Sequence, residues 1–171
     1  MLSGSSYAVV RLERFGAPGY VPHPADYDGD GKADPCVYAE ATGTWRVLLS
    51  ASGYAEASAS GFGSPGYYAV PADYDGDGKT DPAVYQESSG NWLIMLSGSH
   101  YTAQHVVFGA PGYTAVPADY NGLGYAEIAV YHRASSTWFV KVGNQAQSIQ
   151  VGSAGQTPIP ADYDGDGYDD E

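Results

Sequence analysis

The sequence predicts an all-β chain, specifically a β-propeller of four-stranded antiparallel blades, and three observations predict it. First, one segment recurs: PADYDGDGKADPCVY begins at Pro24, PADYDGDGKTDPAVY at Pro71, PADYNGLGYAEIAVY at Pro117 and PADYDGDGYDDE at Pro160, at spacings of 47, 46 and 43 residues. Second, each period holds four short runs rich in β-branched and aromatic residues, separated by Gly, Ser and Pro turns. Third, no segment has the periodicity of a ten-residue amphipathic helix. Four strands per repeat of about 40–50 residues is the pattern of propeller blades, whose radial packing protects short sheet edges.

The second repeat illustrates the elements in order. Tyr68–Tyr74 reads as the innermost extended piece, since Pro71 disfavours a helix. The Asp-rich loop follows, then a strand over Pro82–Gln86, a turn at Glu87–Asn91, a strand over Trp92–Ser97 and a fourth over Tyr101–Phe108. Landmarks keep step between repeats. Trp45, Trp92 and Trp138 each lie 21 residues after their Pro, and FGAPGY (Phe15–Tyr20), FGSPGY (Phe62–Tyr67) and FGAPGY (Phe108–Tyr113) precede three of the repeats. The fourth copy, VGSAGQ (Val151–Gln156), is degraded.

Composition excludes several classes of protein. At 43% apolar, the chain of 171 residues has enough hydrophobic material for a core, which argues against disorder. No apolar run approaches the roughly 18 residues of a membrane-spanning helix. A net charge of −13 repels phosphate backbones, so nucleic acid is excluded as a partner. Cys36 is alone and cannot form an internal disulfide. The N-terminus, MLSGSSYAVV, lacks the basic and long apolar regions of a secretion signal.

The negative charge is local. All fourteen Asp residues lie in the four loops Asp26–Asp34, Asp73–Asp81, Asp119–Glu127 and Asp162–Asp170. Numbered from their first Asp, the first, second and fourth loops carry acids at positions 1, 3, 5 and 9 and Gly at positions 4 and 6. A hard cation takes six to eight oxygens, and alternate side chains of a tight loop can converge to supply them. The expected ligands are therefore Asp26, Asp28, Asp30 and Asp34; Asp73, Asp75, Asp77 and Asp81; and Asp162, Asp164, Asp166 and Asp170. The backbone carbonyls of Lys32, Lys79 and Tyr168 at position 7 complete the sets. Without a cation, four carboxylates in nine residues repel one another, and Ca²⁺ suits such a loop better than the stricter octahedron of Mg²⁺. An EF-hand is excluded because position 12 is Val37 or Val84, inside a strand, where that motif needs Glu. An Asp/Gly turn without metal is the competing reading, weakened by three near-identical copies. The third loop is degenerate: Asp119 and Glu127 remain, but Asn121 holds position 3 and Leu123 removes the position-5 ligand. A plain turn is expected there.

PADYDGDGKTDPAVY with its upstream FGxPGY resembles the FG-GAP/VCBS repeat family, the calcium-loop propellers of integrin α-subunits and many secreted bacterial proteins. The resemblance covers nearly the whole chain. It implies Ca²⁺ between the innermost and second strands of a blade, an extracellular setting, and a binding, adhesive or scaffolding role. Loop three departs from the family pattern at Leu123.

Other side chains are read against this frame. The three Trp residues are expected to pack between blades, with a sugar-stacking platform as the alternative. Tyr27, Tyr74, Tyr120 and Tyr163, at loop position 2, are read as packing residues or as one rim of the ring. His23, His100, His105 and His132 do not occupy equivalent positions and have no partners at metal-ligand spacing. Cys36 aligns with Ala83 and Ala129 as a small buried residue. Every Asp belongs to the repeat, which argues against the unique constellation of a catalytic site, so no enzyme is expected.

The repeats divide the chain into outer strands of a partial blade (1–20), blades over 21–67, 68–113 and 114–156, and an innermost strand with its loop (157–171). Three whole blades leave a ring open, since propellers usually hold at least four. A homo-oligomer completing the ring is expected, with a protein or glycan ligand; a piece of a longer propeller is the alternative.

Overall fold

The computed structural model describes residues 15–170. It is all-β: among the described residues, twelve strands form three antiparallel sheets of four, each a simple meander, and helix is limited to two three-residue 3-10 turns at Ser50–Ser52 and Ser97–Ser99. The first sheet holds β1 (Tyr20–Pro22), β2 (Cys36–Ala39), β3 (Thr44–Leu49) and β4 (Ala55–Ala59). The second holds β5 (Tyr68–Ala69), β6 (Ala83–Gln86), β7 (Asn91–Leu96) and β8 (Thr102–Val107). The third holds β9 (Tyr113–Ala115), β10 (Ala129–His132), β11 (Thr137–Val142) and β12 (Gln145–Gln150). No helix among the described residues is long and apolar enough to cross a membrane.

The expected strands of the second repeat recur within a residue or two, except the innermost. That strand stops at Ala69. Val70 still donates its N–H to the Ala83 carbonyl, but Pro71 has no N–H, and pairing resumes only as the isolated bridge Ala72–Asp81. The same bridge closes every Asp loop, as Ala25–Asp34, Ala118–Glu127 and Ala161–Asp170. Of the outer strands expected over residues 1–20, residues 1–14 lie outside the described residues.

The second strand of each sheet is buried on both faces, while the fourth is largely exposed. Alternation along the strands assigns side chains to two interfaces. Val84 of β6, with Leu93 and Met95 of β7, packs on Tyr38, Trp45 and Val47 of the first sheet. Tyr85, Trp92 and Ile94 point the other way and pack with Val130 and Phe139 of the third. Full burial of a Val such as Val84 is worth about 1.5–3 kcal/mol, and each sheet-to-sheet interface gathers several such buried side chains. Cys36 is buried at the start of β2, and burial pushes its thiol up to about 11, which leaves it unreactive.

Candidate metal centre

Each Asp loop folds around its own first carboxylate. Asp26 accepts backbone N–H bonds from Gly29 (2.7 Å) and Gly31 (2.8 Å), Asp73 from Gly76 and Gly78, and Asp162 from Gly165 and Gly167. The position-2 tyrosines pin the loop to the incoming chain. Tyr27, Tyr74, Tyr120 and Tyr163 donate their hydroxyls to the carbonyls of His23, Val70, Val116 and Ile159, four residues upstream in each case.

Position 9 is the best-held carboxylate. Asp34 and Asp81 are fully buried. Asp81 accepts N–H bonds from Tyr74 (2.8 Å) and Ser97 (2.7 Å), and Asp34 the equivalent pair from Tyr27 (2.9 Å) and Ser50 (2.7 Å). Burial pushes the Asp81 carboxyl up against the pull of those donors. Position 3 is tied to the same turn: Asp28 accepts the Ala51 N–H (2.9 Å) and Asp75 the Gly98 N–H (3.0 Å).

The result is three carboxylates in one place. Ligand oxygens of Asp26, Asp28 and Asp34 lie within 4.8 Å of one another, as do those of Asp73, Asp75 and Asp81 and of Asp162, Asp164 and Asp170. This donor set, hard oxygens of like charge gathered at positions 1, 3 and 9, fits a divalent cation. The position-5 acids are held differently. Asp30 accepts the Lys32 N–H and pairs with the Lys32 ammonium, which holds its carboxyl below the usual carboxylate range. Asp77 accepts the Lys79 N–H and the Ser97 hydroxyl, and Asp166 the Tyr168 N–H.

Two features escape a reading of the loop alone. One is the 3-10 turn after the third strand, whose backbone N–H groups reach positions 3 and 9. Its signal is the recurring Ser-x-Ser-x-Tyr of Ser50–Tyr54 and Ser97–Tyr101. The other is a ladder between loops. The position-8 N–H of Thr80, Ala126 and Asp169 donates to the position-1 carbonyl of the preceding loop, on Asp26, Asp73 and Asp119 respectively. The position-7 side chains of Lys79, Tyr125 and Tyr168 rest on the position-4 glycines Gly29, Gly76 and Gly122 of that preceding loop. A Cβ on Gly122 would stand 2.6 Å from the Tyr168 ring. Position-4 glycine therefore serves both a left-handed backbone (φ 81° at Gly29, 77° at Gly76) and close approach of the next loop.

The remaining candidates are structural. The indoles of Trp45, Trp92 and Trp138 are buried within 3% of complete. His23 lies beside Trp45, His132 stacks on Tyr113 and bonds Ser135, and His105 bonds Asn91. None of the described histidines joins an acidic triad.

The burial contrast between positions 9 and 5 sets an expected order. In chelator, Asp81→Ala orphans two backbone N–H groups and costs about 2–5 kcal/mol. Asp77→Ala, at an exposed loop tip, costs under about 1 kcal/mol. Urea melts of the two variants check this, and equal losses would refute the ranking. Compared with family models, curated proteins and solved structures, the chain finds no match.

Proposed function

We propose that this chain is a calcium-binding, non-catalytic β-propeller module for extracellular recognition, adhesion or scaffolding, in which calcium is structural. The observation that carries the reading is the repetition of one carboxylate triad at loop positions 1, 3 and 9 in three separate repeats. A repeated site argues for architecture, because chemistry needs a unique set of groups. Asp26, Asp28 and Asp34 would hold one ion, Asp73, Asp75 and Asp81 a second, and Asp162, Asp164 and Asp170 a third. Asp30, Asp77 and Asp166 and the carbonyls of Lys32, Lys79 and Tyr168 remain available as further ligands. In loops one and two a bound cation would sit on carboxylates already tethered to the 3-10 turn, and in every loop it stabilises because only the folded loop gathers the oxygens. Sites of extracellular modules bind weakly, at about 10⁻⁴–10⁻³ M, which suits the calcium levels outside cells.

The propeller part of the proposal is supported by the succession of the sheets. Each four-stranded meander packs on the next through equivalent residues, and each loop hydrogen-bonds to its predecessor. Three sheets among the described residues are fewer than the four or more blades of a ring; the proposal has a second copy of the chain supply the rest, and further repeats of a longer chain are the alternative. Light scattering in calcium is expected to return a multiple of the 17.9 kDa chain mass. A soluble monomer at high concentration overturns the oligomer.

A further inference from the structure

Loop three and the segments that contact it differ from the sister loops at five places, counting Glu127 for Asp at position 9, that bear on one question, namely what holds the loop together where the ligand set is broken. The position-5 residue, Leu123, is 65% exposed and offers no oxygen. Asn121, at position 3, directs its amide nitrogen onto the Glu127 Oε1, while Glu127 Oε2 accepts the Tyr120 N–H (3.0 Å). Asn121 Oδ1 is itself occupied by the Leu123 N–H (2.9 Å). Position 8 of the following loop is Asp169, where the other loops have Ala33, Thr80 and Ala126. Its carboxylate accepts the Asp119 N–H (2.8 Å) while its own N–H donates to the Asp119 carbonyl.

A further change, like Asp169, lies outside the loop. The 3-10 turn that reaches positions 3 and 9 in the first two repeats is missing from the third, where β11 and β12 join through Gly143–Asn144 alone. The interval from Trp138 to Val151 is 13 residues, against 16 from Trp92 to Phe108. Those three residues account for the shortening of the repeat from 46 to 43, and they equal the length of the lost turn. Loop three thus lacks a position-5 acid and the turn that backs positions 3 and 9. In their place are an amide donor facing the position-9 carboxylate and a carboxylate from the next loop.

We infer that loop three is a cation-independent clamp, in which the Asn121 amide occupies the electrostatic role that calcium has in its sister loops. An N–H donor facing Glu127 supplies positive partial charge to a buried carboxylate, as an ion would, and needs no dehydrated metal. The Asp169 clasp then fixes Asp119, the remaining acid of the loop. This rests on calcium occupying loops one, two and four, and it states that loop three folds without it. The functional consequence is that calcium removal loosens loops one, two and four while loop three keeps its shape.

The test has two arms. Equilibrium dialysis against calcium, with elemental analysis of the dialysed protein, is expected to give three ions per chain; four ions overturn the inference. The second arm is read in chelator and does not depend on calcium binding anywhere. Asn121→Asp replaces the donor by a carboxylate facing Glu127 and lowers the melting temperature by about 4 °C. Asp169→Ala, a milder change at a half-buried site, lowers it by about 2 °C and leaves the ion count at three. Unchanged melts for both variants overturn the clamp, whatever the ion count. A count of zero overturns the calcium proposal instead, and the chelator melts still decide the clamp.

Discussion

Chelation of calcium is expected to lower the melting temperature by about 8–16 °C. Under the calcium proposal, an ion at ten times its dissociation constant that binds only the folded loops would stabilise by about 1.4 kcal/mol per site, or ~4 kcal/mol over three independent sites. In a chain of this length each kcal/mol is worth roughly 2–4 °C. The shift should also depend on pH. Burial raises the Asp81 carboxyl above its ordinary value in the metal-free fold, so the proton is favoured in the folded state. That contribution is fully present below the unfolded carboxylate range and is lost as pH rises through the raised folded value. A cation needs the ionised form, so the gap between calcium and chelator melts widens as pH rises through the same window. Differential scanning calorimetry in calcium and in EGTA checks both points. Coincident melts at neutral pH would remove calcium from the stability of this protein.

Truncating Trp92 is expected to cost about 3–5 kcal/mol. Its indole is fully buried between the second and third sheets, 4.8 Å from the Tyr85 ring, and its N–H donates to the Phe108 carbonyl (2.8 Å). The repeat offers an internal control. Trp45 occupies the same place in the first sheet, yet its indole N–H has no hydrogen-bond partner among the described residues. There the equivalent carbonyl, on Phe62, accepts the Tyr38 hydroxyl (3.3 Å), whereas Tyr85 leaves its hydroxyl unpaired in the second sheet. One carbonyl serves whichever ring reaches it first. Replacement by Phe keeps much of the ring volume and removes the N–H. Trp92→Phe should therefore cost about 1 kcal/mol more than Trp45→Phe. Urea denaturation of the two Phe variants measures the difference, and an equal cost would contradict the assignment of that hydrogen bond.

Much of the fold is legible because the repeat reveals its own periodicity. Val84, Tyr85 and Trp92 read as strand residues from β-branched and aromatic composition, and the sheets form where that composition predicts. The innermost strand is overestimated because Pro71 interrupts pairing and a single bridge at Ala72 replaces a ladder. In the loops, spacing brings positions 1, 3 and 9 into view as a group. The separate tethering of Asp30 and Asp77 is not legible, since it depends on the local geometry of Lys32, Lys79 and Ser97. The amides of Ser50, Ala51, Ser97 and Gly98 are invisible for a different reason: backbone donors carry no residue signature. The position-7 side chains are a third case. A loop considered alone gives Lys79 and Tyr168 a carbonyl role, and only the packing of successive loops reveals the glycine beneath each side chain.

That packing makes the loops a connected row. Position 8 of one loop, next to its position-9 acid, bonds to position 1 of the loop before it, so two expected ligands of neighbouring sites lie on one hydrogen-bonded path. Sheet contacts and loop contacts therefore run in the same direction along the chain, from each repeat to the next.

The most direct measurement is the calcium content of the dialysed chain, read against Asp34→Asn, Asp81→Asn and Asp170→Asn made singly. Three ions in the parent protein and two in each variant are predicted. A parent protein at the background of the dialysis buffer would contradict the calcium proposal at its root.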